Sequence, residues 1–72
     1  MNAQEWTAQF AERLGVAPPD PAVVDTLLQL AGRAAHSSER TAAPIACYLV
    51  GLAGVSPEEA LALADAMAPE RG

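Results

Sequence analysis

A chain of 72 residues with 51% apolar and 18% charged side chains is one folded domain, too short for a second core and too apolar for a disordered segment. A net charge of −5, no lysine and four arginines scattered along the chain argue against nucleic-acid binding, which rests on clustered cations neutralising phosphates. The single Cys47 excludes an intramolecular disulfide, and the start Met-Asn-Ala-Gln-Glu-Trp lacks the basic and apolar regions of a leader, so the expectation is a soluble, cytoplasmic, non-membrane chain.

Asn2 followed by Glu5 has the spacing of a reciprocal helix cap. Trp6, Phe10 and Leu14 then recur every fourth residue, which predicts an amphipathic helix over about residues 3 to 14. Gly15 and the prolines at 18, 19 and 21 end it. Asp20-Pro21 opens a second helix, over about residues 21 to 36, with Val24, Leu27, Leu28, Ala31, Ala34 and Ala35 in helical rhythm. Val23 and Leu30 widen its apolar side, as expected of a central helix touched by several neighbours.

A polar turn, Ser37 to Thr41, follows. Pro44 is tolerable only in the first turn of a helix, so a third helix is expected over about residues 42 to 53, with Thr41 as its N-cap and Ile45, Leu49 and Leu52 inward. Gly51 within it suggests close approach by a neighbouring backbone. Ser56-Pro57-Glu58-Glu59 reads as a full capping box, opening a fourth helix to about Ala68, where Pro69 stops it. Nothing alternates with period two. The predicted fold is therefore all-α, a compact four-helix bundle in a single domain spanning 1–72, with helix two central. Trp6, Phe10, Leu27, Leu28, Leu49 and Leu61 are its expected large core residues, the two aromatics packing onto helix two or three.

Catalytic and metal-binding signals are weak. One histidine and one cysteine eleven residues apart do not make a metal site, and neither a phosphate-binding loop nor a Gly-x-Ser-x-Gly elbow is present. Glu58 and Glu59 are adjacent in a first helical turn, where negative charge complements the helix dipole. The expectation is a non-enzyme with no cofactor, no metal and no catalytic residues. The turn from His36 to Pro44 is the one candidate site. Arg33 and His36 at the carboxyl end of helix two can act simply as cations opposite the dipole. Alternatively, His36, Arg40, Arg33 and Thr41 flank the free N–H groups at the start of helix three and together hold a small anion or a partner.

Trp6, Leu30-Ala31, Ala34-Ala35-His36, Arg40, Ala42-Ala43-Pro44 and Tyr48-Leu49-Val50-Gly51 together resemble a family of small α-helical domains of unknown function from high-GC bacteria. Its distinctive core is His-x-x-x-Arg-x-x-Ala-Pro. Such domains stand alone or are appended to molybdenum cofactor guanylyltransferase. The resemblance implies an accessory role near molybdopterin guanine dinucleotide assembly and brings no catalytic residues. The transferase's nucleotide-binding loop is absent here. Two readings follow: an interaction module that docks on a protein partner, such as a cofactor-assembly enzyme or a second copy, or a small anionic-ligand domain using the turn.

Overall fold

The computed structural model describes residues 1–67, which form four helices: α1 Ala3–Leu14, α2 Pro21–Ser37, α3 Ala42–Ala53 and α4 Pro57–Met67. No strand occurs among the described residues. The fold is all-α, and α2 is central, packing against both α3 and α4. The expected helix end at Ala68 and stop at Pro69 lie outside the described residues.

Local chemistry explains most helix ends. The Asn2 side chain accepts from the Glu5 N–H at 2.8 Å, and the Asn2 N–H donates to the Glu5 carboxylate at 3.0 Å, so two of the donors a helix start leaves unpaired are satisfied reciprocally. Gly15, at φ 80°, takes the left-handed conformation that closes α1. The Asp20 carboxylate accepts from the Val23 N–H at 3.0 Å ahead of Pro21. Ser56 accepts from the Glu59 N–H at 3.1 Å, but the Glu59 carboxylate makes no return bond, so the box expected at α4 is only half formed.

The packing faces differ from those the large apolar residues suggest. Among the described residues only Ala11, Leu30 and Ala60 are fully buried, and Leu30, at 3% exposure, is the one large side chain of the three. In α1 the residues turned from solvent are Thr7 and Ala11, roughly 100° around the helix from the expected aromatic stripe. Trp6 and Phe10 remain 55% and 47% exposed and stack on each other with centroids 4.9 Å apart. They do not pack into the core. In α3 the sheltered residues are Ala42, Ala43, Ala46, Cys47 and Val50, while Ile45, Leu49 and Leu52 point to solvent. Leu28, at 65% exposure, and Leu49, at 52%, therefore lie outside the core, whereas Leu27 and Leu61 are half-buried.

The physical reason is helix spacing. Small side chains at a contact line let helices approach closely, and interaxial distance is set by the side chains at the contact. Alanine-lined faces pack against each other, and the bulky side chains are left on the flanks. No backbone crowds Gly51, because nothing lies within 4 Å of where a Cβ would stand. The expected close approach is absent there.

Two stability measurements follow. Leu30→Ala should cost about 2–5 kcal/mol in denaturant unfolding, whereas Leu28→Ala should stay within roughly 0.5 kcal/mol of the parent chain. Gly51→Ala should stabilise by about 0.5–1 kcal/mol, because it restores helix propensity into open space. A raised thermal midpoint would register that gain, and a lowered one would show that the position is not open.

Candidate functional site

The turn joining α2 to α3 brings His36, Arg40 and Thr41 to the surface, all three exposed. The main chain there is tightly wound. Ser38 caps α2 through its N–H to the Ala34 carbonyl at 3.1 Å. The Ala42 N–H donates to the Glu39 carbonyl at 2.9 Å, and the Ala43 N–H donates to the Arg40 carbonyl at 3.1 Å. Thr41 has helical angles, φ −68° and ψ −15°, and its side chain makes no cap bond. Pro44 has no N–H. The first three positions of α3 thus offer no unpaired donor, so the amide cradle expected for an anion is taken up by the turn itself.

Arg33 is drawn elsewhere. Its Nε donates to the Asp65 carboxylate at 2.6 Å, tying α2 to α4 across a sequence separation of 32 residues, with both side chains about half exposed (46% and 49%). Sequence reasoning missed this bond because Asp65 carries no local pattern. Cys47 is a free, half-buried thiol on the sheltered side of α3. Among the described residues no group of three or more His, Cys, Asp or Glu side chains converges.

A groove of about 850 Å³ lies between α2, α3 and α4. Leu30 and Ala34 line it from α2, Ile45, Ala46, Leu49 and Val50 from α3, and Ala60, Leu63, Ala64 and Met67 from α4. Arg33 and Glu39 are its charged residues, and Ser37, Ser38 and Thr41 of the turn border one end. The four side chains singled out around the turn are therefore split: Arg33 and Thr41 meet the groove, while His36 and Arg40 do not. One sequence signal pointed here. From Ala42 to Ala53 the chain has no charged residue, so α3 has no strongly polar face to give to water.

A smaller hollow of about 590 Å³ lies at the other end of α2, where Ala3, Gln4, Thr7 and Ala8 of α1 meet Pro18, Pro19, Pro21, Val24 and Leu28. It shares no lining residue with the groove.

A family model described as a domain of unknown function (DUF6457) matches residues 1–71. The chain belongs to this family. The DUF6457 match covers all four helices and therefore both the turn and the groove. No curated protein and no solved structure matches the chain. No helix among the described residues is long and apolar enough to cross a membrane.

The Arg33–Asp65 pair is open to a double-mutant cycle. Arg33→Ala and Asp65→Ala together should reveal a coupling no greater than about 1 kcal/mol, shrinking as salt is added, as expected of a pair screened by water.

Proposed function

We propose that this DUF6457 domain is a non-enzymatic protein-interaction module whose working surface is the apolar groove between α2, α3 and α4. The observation carrying this reading is the exposure of Ile45, Leu49, Leu63 and Met67 along the groove, when only three side chains among the described residues are fully buried. Leaving large apolar side chains in water forgoes roughly 1.5–3 kcal/mol each, and a contiguous apolar patch of this kind marks an interaction site. Thr41 borders this surface and would form part of its polar rim, with His36 and Arg40 on the same turn outside its lining. The resemblance noted above supports a cytoplasmic accessory role in molybdenum cofactor assembly, with the guanylyltransferase as the enzyme partner.

A photo-crosslinking amino acid at Leu49, expressed in the native cell, should yield a protein adduct, while the same group at Gln29 on the polar side of α2 should not. No adduct at Leu49 would defeat the interaction reading. The cofactor link has its own measurement: calorimetric titration of purified molybdenum cofactor guanylyltransferase should show binding that Leu49→Asp removes. An absence of binding at about 100 μM would reject the transferase as partner and leave the module reading intact.

A further inference from the structure

We propose that α1 is a hinged arm, a helix that leaves and rejoins the unit formed by α2, α3 and α4 without unfolding it, and that the smaller hollow opens and closes with this movement. The proposal is independent of what the groove binds.

The contacts holding α1 are few. α2 packs along both α3 and α4, and α1 has no comparable packing against any of the three. Every residue of α1 except Thr7 and Ala11 is exposed, so its attachment rests on one half-buried side chain and one buried methyl group. Among the described residues no hydrogen bond and no ion pair runs from α1 to another helix. By contrast α2 encloses Leu30, and its Arg33 reaches Asp65 on α4. Few buried apolar contacts and a backbone ladder facing solvent mark a segment that opens at a lower free energy than the whole domain.

What stabilises α1 is local. Asn2 and Glu5 cap its start reciprocally, the Gly15 N–H closes its end on the Glu12 carbonyl at 3.0 Å, and Trp6 stacks on Phe10 one turn away. None of these contacts involves another helix, so none is lost when α1 moves off α2. Pro18, Pro19 and Pro21 stiffen the far half of the connection, which confines the pivot to the short stretch between Leu14 and Pro18.

One wall of the smaller hollow is α1 itself, through Ala3, Gln4, Thr7 and Ala8, and the other is the proline segment with Val24, Asp25 and Leu28. Moving α1 takes that wall away. The groove between α2, α3 and α4 has no lining residue from α1, so the same movement leaves its lining unchanged.

Hydrogen exchange of the full chain, followed amide by amide by NMR, tests the proposal. A released helix of this length is marginal in water, so the amides from Thr7 to Leu14 exchange whenever α1 is undocked. Their protection should be at least about tenfold below that of the amides around Leu30. Low urea should hardly change their rates, because undocking exposes little surface, while the α2 amides should accelerate steeply. Ala11→Asp puts a charge at the one fully buried position of α1 and should bring its amides close to unprotected rates while those around Leu30 stay protected. Equal protection in α1 and α2, a shared urea slope, or loss of protection in both helices of the Ala11→Asp variant would show that the four helices open together and would overturn the proposal.

Discussion

The fold depends on the packing of α2 against α3 and α4, with Leu30 the one bulky residue fully enclosed among the described residues. A helix face made of alanine can come near another helix, but it buries little area for each residue committed to the contact. The central helix therefore gains position more than it gains hydrophobic free energy. Apart from Leu30 and the half-buried Val23, Leu27, Val50 and Leu61, the larger apolar side chains stand on the flanks, many of them lining the groove or projecting from α1. The exposed apolar surface is thus a direct outcome of the way the interior is packed.

The helix ends were legible because capping is local chemistry. Asn2 with Glu5, Asp20 with Pro21, and Gly15 each act within a few residues, and the structure uses each of them. The centrality of α2 was legible too, since Val23, Leu27 and Leu30 widen its apolar side enough to meet two neighbours. Which side of α1 and α3 faces inward was not. A stripe of Trp6, Phe10 and Leu14 and a stripe of Thr7 and Ala11 are both compatible with an amphipathic helix, and reading the bulkier one as inward assumes that the chain buries its own side chains. At the turn, the sequence shows that Pro44 lacks a donor but not that the Glu39 and Arg40 carbonyls accept from the next two residues. The Arg33–Asp65 contact depends on α4 folding back along α2, which no local pattern records.

Charge is distributed so that the groove stays neutral. Glu58 and Glu59 stand in the first turn of α4, Glu5 lies in the first turn of α1, and Asp20 caps α2, so acidic groups gather at helix starts where the dipole favours them. Asp65 is engaged by Arg33. A chain can therefore carry a marked negative excess, with Glu39 the one acidic residue along the groove and Arg33 its one cation.

The stacking of Trp6 on Phe10 has an entropic consequence. Two aromatic side chains on an exposed helix face would ordinarily sample several rotamers, and holding each in one of them costs roughly 0.5–1.5 kcal/mol when a complex forms. Here the rings already lie against each other, at 29° between planes, before anything touches them. Part of that ordering is thus completed during folding.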